Sequence, residues 1–387
     1  MQTSKRRFLA VLAAAPAAWA AAPAIARAAP SRAPRARFIG DAAEQDSPDV
    51  AGIGGARFAA DRVDAFQAAL GSAPVLADKP WLALSTGGEN GAFGAGLLTG
   101  WTDQGTRPSF AVVTGVSTGA LIAPFAFLGP RWDGALRAAY ASVTAADVFE
   151  IGATDMSLLD TWPLAKLIAR HVTPELLAAV AAEHAAGRRL FVLTTNLDTG
   201  RPVGWNLGAI AAAGDAAALA LCRQVLLASG SIPGLFPPVA IDVSVGGRAF
   251  QELHADGGIT APFYVAPEAM VMGGAGSLPA REICVIVNNR LEPDFQPTQR
   301  SLISALGNAL APAVKAGTRA ALAIHAGFAA ERGIGLRVAT IDADFKAPSS
   351  APFDPGTMKA LYAHANRRAR VGALFDARPM GRLAQAH

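Results

Sequence analysis

Cysteine is scarce in this 387-residue chain: there are two, Cys222 and Cys284, and they form no C-x-x-C pair. Export to an oxidising compartment permits a disulfide. However, Cys222 falls on an apolar helix and Cys284 in an apolar strand, so both are expected as buried free thiols. Histidine is sparse too: six residues, scattered without metal-ligand spacing. With no calcium-loop pattern either, neither a metal nor a cofactor is expected. Charged residues make up only 17% of the chain, and no basic stripe of the kind a nucleic-acid binder carries is present. The formal net charge of +4 is matched by Lys5, Arg6, Arg7 and Arg27 at the N-terminus. Arg32, Arg35 and Arg37 follow in a Pro/Ala linker, leaving the folded part slightly acidic, and no nucleic-acid partner is expected. There is no self-similarity at a 20–50-residue period, which sets repeat architectures aside.

An apolar run long enough to span a membrane, about twenty residues, is also missing. The candidate lies in "SKRRFLAVLAAAPAAWAAAPAIARAA", where Pro16 and Pro23 break it. The basic start, the short apolar run and the small residues Ala24, Ala26 and Ala29 instead describe a cleavable signal peptide over residues 1–29. Ser4-Lys5-Arg6-Arg7-Phe8-Leu9 is similar to a twin-arginine export signal with Lys5 in place of the first arginine. Tat and Sec export both stay open, and without a cysteine the leader is not that of a lipoprotein. The expected location is periplasmic or extracellular, peripheral to a membrane at most. Residues 30–75 read as a Pro/Arg/Ala-rich linker with a peripheral helix over about 56–70, and residues 76–387 as the catalytic domain.

What is abundant is apolar material, 52% of the residues, arranged in alternation. Strands are expected at 81–86, 109–114, 189–196, 282–289 and in "GLRVATI". Helices are expected at about 91–104, after Ser117, at 215–228, 298–331 and 355–375. The region 131–187 reads as helical with breaks at Pro163 and Pro174. "AIDVSV-GG-RAFQEL" reads as a hairpin turning at Gly246-Gly247. Strands alternating with helices predict a three-layer α/β/α fold around a mostly parallel sheet.

Two Gly-rich turns follow strands. "GVSTG" (115–119) sits between "AVVT" and "ALIAPFAF", where a sharp strand-to-helix turn lifts a serine Oγ above the sheet. Gly115 and Gly119 are the residues such a turn needs, although a helix N-cap serine is the plainer reading of Ser117. "ALSTGGENGAFGAG" (83–96) supplies backbone N–H groups suited to a developing oxyanion. Neither the Gly-Lys-Ser/Thr end of a phosphate loop nor a dinucleotide fingerprint is present.

A triad histidine is not found. His325 and His364 lie in expected helices, and His387 is terminal. The acid stands out instead: Asp256 ends the "FQELHA" strand before Gly257-Gly258, and a carboxylate in reach of a serine can itself be the base. An ordinary Asp-Gly turn, or a His254–Ser117 pair, is the alternative.

Taken together, Thr86-Gly87-Gly88-Glu89-Asn90-Gly91, Gly115-Val116-Ser117-Thr118-Gly119 and Asp256-Gly257-Gly258 resemble the ordered motifs of the patatin-like phospholipases. Those motifs are G-G-G-x-R/K-G, G-x-S-x-G and D-G-G/A. "TTNLDTGRPVGWNLGAIA" (194–211) and "ASGSIPGLFPPV" (228–239) are similar to that family as well. The resemblance spans about residues 80–290. It implies a patatin-like fold and a Ser-Asp dyad without histidine, hydrolysing lipid acyl esters of phospholipase A or lipase type. Ser117 would be the nucleophile and Asp256 the general base, with the N–H groups of Gly87, Gly88 and Glu89 as oxyanion donors. Thr86 and Asn90 depart from the pattern, and Asn90 removes a fixed positive charge that would favour anionic headgroups. An acyltransferase on the same dyad, or a non-catalytic lipid-binding protein, is the alternative. A lipid substrate implies transient membrane contact, for which "VAPEAMVMGGAGSLP" (265–279) is either a lipid-facing loop or an ordinary helix and turn.

Overall fold

Short, wholly apolar strands bury both faces, and here they line up side by side. A computed structural model describes residues 49–376 except 72–75, 142, 275, 294–297, 299 and 350. The leader, most of the linker and His387 lie outside the described residues. In chain order the strands are β1 Arg57–Ala59, β2 Trp81–Leu84, β3 Val112–Val116, β4 Glu150–Thr154, β5 Ser157–Asp160, β6 Arg189–Asn196, β7 Arg201–Asn206, β8 Val239–Val245, β9 Arg248–Asp256, β10 Glu282–Ile286 and β11 Gly335–Ala339. The helices are α1 Val63–Leu70, α2 Gly91–Asp103, α3 Thr118–Leu128, α4 Asp133–Ala141, α5 Ala145–Val148, α6 Trp162–His171, α7 Pro174–Ala185, α8 Leu207–Ala213, α9 Ala216–Ser229, α10 Glu268–Val271, α11 Leu302–Arg332 and α12 Pro355–Arg370.

The main sheet runs β1-β7-β6-β3-β2-β10-β11. Its centre, β6-β3-β2-β10-β11, is parallel throughout, while β7 joins β6 and β1 joins β7 antiparallel. β8 and β9 form an antiparallel arm that attaches to the end of β6, setting Asp256 opposite Thr194. Alternate side chains of each central strand enter opposite cores, as strand geometry requires. Leu82, Leu84, Val113 and Val192 pack on one side, and Trp81, Ala83, Val112 and Phe191 on the other. The fold is thus a three-layer α/β/α arrangement with a mostly parallel sheet. Both cysteines are free and buried, and burial pushes the Cys222 thiol up to about 12.

Several local expectations need correction. Residues 56–70 are not one helix. Phe58 and Ala59 are buried in the edge strand β1, and the helix begins only at Val63. The strand before the serine runs over Val112–Val116 rather than 109–114, so two residues of the "GVSTG" turn are still extended. Within 131–187, Pro163 and Pro174 open helices instead of breaking one, since proline lacks only an N–H that the first turn leaves free anyway. The same region holds the β4–β5 hairpin, a separate two-stranded sheet. In the 265–279 stretch Glu268–Val271 form the short helix α10, with Val265, Ala266, Met270 and Val271 buried and Met272 exposed. No helix of the described residues is long and apolar enough to cross a membrane.

Candidate active site

The turn from β3 into α3 brings backbone against backbone at two points, once within the turn and once against β2. A Cβ on Gly115 would lie 2.4 Å from the Gly119 carbonyl oxygen, and one on Gly119 would lie 2.3 Å from that of Leu84. Only glycine fits either place. Between them Ser117 adopts φ 56°, ψ −123°, a left-handed conformation costing about 1–3 kcal/mol for a residue with a side chain. The surroundings hold it there. Its N–H donates to Ser229 Oγ at 3.0 Å, and Ser229 Oγ in turn donates to the Leu193 carbonyl at 2.6 Å. Ser117 is buried.

Asp256 reaches the same spot from the far end of the β8–β9 arm. Its N–H donates to the Ser231 carbonyl at 2.9 Å, its Oδ1 accepts from Gly258 N at 2.7 Å, and the Ser117 side chain stands close enough to its carboxylate to favour the charged form. Burial pushes its pKa up to about 6, against the lowering effect of those two groups. Gly257 has no room for a side chain either, since a Cβ would lie 2.6 Å from Leu193 O.

The Gly-rich loop over 86–91 completes the site. Gly88 and Glu89 line the same cleft as Ser117 and Thr118, while Gly87 sits behind, close against Asn288. As the opening residues of a helical turn, Gly88 and Glu89 have N–H groups with no partner inside it. Gly91 packs on Thr118 and Tyr140. The Tyr140 hydroxyl donates to the Thr118 carbonyl at 3.1 Å and lies 2.7 Å from Thr118 Oγ1. The brace behind the loop is Asn288, just past β10. Its Nδ2 donates to Ser85 O at 2.9 Å, its Oδ1 accepts from Gly94 N at 3.0 Å, and neighbouring Asn289 donates to Thr86 O at 3.1 Å. Sequence reasoning missed Asn288, Asn289 and Ser229. The signal for the first two was a pair of amides directly after a buried parallel strand, where ordinary loop polarity hides them.

The cleft holds about 850 Å³ of atom-free space, part of it open solvent, walled by side chains such as Leu121, Phe125, Leu164, Ile168 and Phe236. Among the described residues no Lys or Arg lines it. Glu89 does, and its Oε2 accepts from Phe353 N at 2.6 Å. Burial raises the Glu89 pKa, and the Asp354 carboxylate nearby adds to the rise.

The histidines are engaged elsewhere. His254 is fully buried between Thr194 Oγ1 at 2.9 Å and Glu252 Oε2 at 3.0 Å, so the alternative His254–Ser117 pairing is not formed. The Glu252 carboxylate, which Arg57 also holds at 2.5 Å, can only accept, so His254 Nε2 donates to it. Burial lowers the His254 pKa, so the ring is neutral and its Nδ1 accepts from the Thr194 hydroxyl, whose oxygen also accepts from Trp205. His325 packs on Phe263 from α11, and His364 meets Asp342 at 2.6 Å. His171 lines the cleft but belongs to its wall on α6. Among the described residues no cluster of His, Cys, Asp or Glu is arranged for a metal ion.

Residues 82–267 match the model of the patatin-like phospholipase family. Among solved structures, VipD from Legionella pneumophila is similar at 13% sequence identity, with 76% of this chain and 67% of that chain covered and a TM-score of 0.31. Curated protein sequences yield no match. The matched segment begins one residue into β2 and runs past Asp256, so it holds all three ordered motifs. This chain therefore carries a patatin-like phospholipase domain, the domain of a lipid acyl hydrolase.

Proposed function

We propose that this protein is an exported serine esterase that hydrolyses acyl esters of lipids through Ser117 and Asp256. The observation that carries this reading is a serine held in a left-handed turn at an apolar cleft, with the buried Asp256 carboxylate beside it. Ser117 Oγ attacks the ester carbonyl while Asp256 takes its proton. The oxyanion of the tetrahedral intermediate is met by loop N–H groups, with Gly88 and Glu89 lining the cleft beside Ser117 and Gly87 behind them. Fixed donors of this kind are each worth about 3 kcal/mol of barrier. Asp256 returns the proton to the departing alcohol, then activates the water that releases the fatty acid. A carboxyl titrating at about 6 suits both halves of that cycle, because a base tuned towards the working pH is more basic than an ordinary aspartate and still ionised.

The acyl chain occupies the apolar cleft. With no cation lining that cleft and Glu89 present, uncharged ester groups are favoured over anionic ones. Export follows from the leader over residues 1–29. The test is hydrolysis of a medium-chain nitrophenyl ester together with labelling of Ser117 by a fluorophosphonate. The Ser117→Ala protein, folded normally, is expected to lose both. Full activity in Ser117→Ala would end the assignment, and product analysis with an added alcohol separates hydrolysis from acyl transfer.

A further inference from the structure

Three large apolar side chains stand out into solvent on one short stretch: Ile151 at 86% exposure, Met156 at 53% and Trp162 at 40%. Ile151 and Met156 belong to the β4–β5 hairpin, which forms its own sheet apart from the main one, and Trp162 opens α6. A lone two-stranded hairpin is marginal in water, so this one is anchored. Leu158 and Leu159 donate their N–H groups to Gly234 and Leu235 at 3.1 and 3.0 Å, and Leu159 is buried. Its roots are walls of the cleft: Val148 just before β4, Leu164 and Ile168 just after Trp162, and Phe236 beside Leu235. The exposed apolar residues are therefore continuous with the site that takes the acyl chain.

Trp162 is fixed in place. Its Nε1 donates to Glu150 at 2.5 Å, and the Lys166 ammonium lies 4.1 Å from the centre of its ring. An indole with its polar edge engaged and a lysine stem alongside suits the boundary between lipid and water. Residues 150–160 carry Glu150, Asp155 and Asp160 and no Lys or Arg. The hairpin thus lacks the basic cluster that anionic headgroups attract.

We propose, resting on the lipid-ester reading above, that the β4–β5 hairpin and Trp162 dock this protein on a lipid surface of net-neutral headgroups. Ile151 and Met156 enter the acyl boundary, and the substrate ester passes from the layer into the adjoining cleft. The full chain is floated with vesicles of ether-linked phosphatidylcholine, which an esterase cannot cleave, and compared with the double variants Ile151→Asp/Met156→Asp and Ile151→Ala/Met156→Ala. Wild type is expected to float, the aspartate pair to bind at least about tenfold more weakly, and the milder alanine pair to fall between. All three are expected to hydrolyse a monomeric water-soluble short-chain ester alike, which also shows that the variants fold. Flotation unchanged in both pairs overturns the proposal, as does stronger, salt-sensitive binding to phosphatidylglycerol. Flotation reads docking without catalysis, so hairpin-dependent flotation with no ester hydrolysis would uphold the surface and remove the proposed function.

Discussion

Ser117 is placed mainly by its own turn, with Leu84 and Ser229 as distant supports, whereas Asp256 is placed by parts of the chain far away. The serine turn is built from consecutive residues whose glycines are dictated by backbone contacts at Leu84 and Gly119. Asp256 depends on the register of β9 against β6, on the Ser231 carbonyl and on a buried network behind the arm. In that network Arg57, Glu252, His254 and Thr194 join β1, β9 and β6. A nucleophile specified by local sterics survives much change elsewhere. A base delivered by distant strands can be lost through any of them, and it also bears the electrostatic cost of burial.

The largest effect is expected from removing that base. Asp256→Asn preserves shape and the acceptor for Gly258 N but takes no proton, so kcat/KM is expected to fall about 10²- to 10⁴-fold. Stability is expected to move the other way. The folded state raises the Asp256 pKa from 3.8 to about 6, so it binds that proton more tightly than the unfolded chain does. The favourable contribution is complete below about pH 4 and is lost as pH rises through 6, the loss amounting to about 3 kcal/mol at neutral pH. Asp256→Asn should therefore raise Tm at pH 8 and leave it nearly unchanged at pH 4, as thermal unfolding at both pH values will show. A lower Tm at pH 8 would mean that the hydrogen bond from Gly258 and the nearby Ser117 side chain outweigh burial.

A smaller effect tests the loop, which shares the dependence of Asp256 on distant residues. Asn288→Ala strips the buried Gly94 N–H and Ser85 carbonyl of partners, at a cost of about 1–3 kcal/mol. The loop donors then lose their backing, and kcat is expected to fall about tenfold with KM little changed, since oxyanion contacts form fully only in the transition state. Steady-state kinetics separates the two parameters. A rise in KM alone would place Asn288 in substrate binding.

The same contrast explains what was legible in the sequence. "RLFVLTTN" is a strand over its whole length because every side chain but the first is buried, and its apolar centre, Leu190 to Leu193, followed by two β-branched threonines, says so. The Gly246-Gly247 hairpin was legible because both glycines take positive φ, 57° and 77°. The serine turn was legible for the same local reason. The edge strand β1 was not, because three residues beside Gly and Ala carry no period, and pairing with β7 alone makes them a strand. The β4–β5 hairpin was hidden by composition: its turn is Asp155-Met156, with no glycine to mark it. The glycines of "GAFGAG" looked like a single oxyanion loop, yet Gly96 is there to let the Tyr362 carbonyl approach, where a Cβ would lie 2.2 Å away. Helix packing and oxyanion binding ask for the same residue, and sequence alone does not separate them.

The smallest effects are expected from the histidines, and they sharpen the comparison most. A carboxyl titrating at about 6 imitates a histidine, so an acid limb near pH 6 in kcat/KM is ambiguous until the imidazoles are removed. His171 lines the cleft, and burial together with Arg170 lowers its pKa below the ordinary imidazole value. His325 and His364 are tied to Ala321 O and Asp342. His171→Gln, His325→Gln and His364→Gln are each expected to change kcat/KM by less than about threefold and to leave the acid limb near pH 6 in place, activity falling as protons occupy Asp256. Full pH–rate profiles of the three variants check this. Disappearance of the limb in any one of them would transfer the base from the carboxylate to that imidazole, and the distant strands behind Asp256 would then be holding a structural residue.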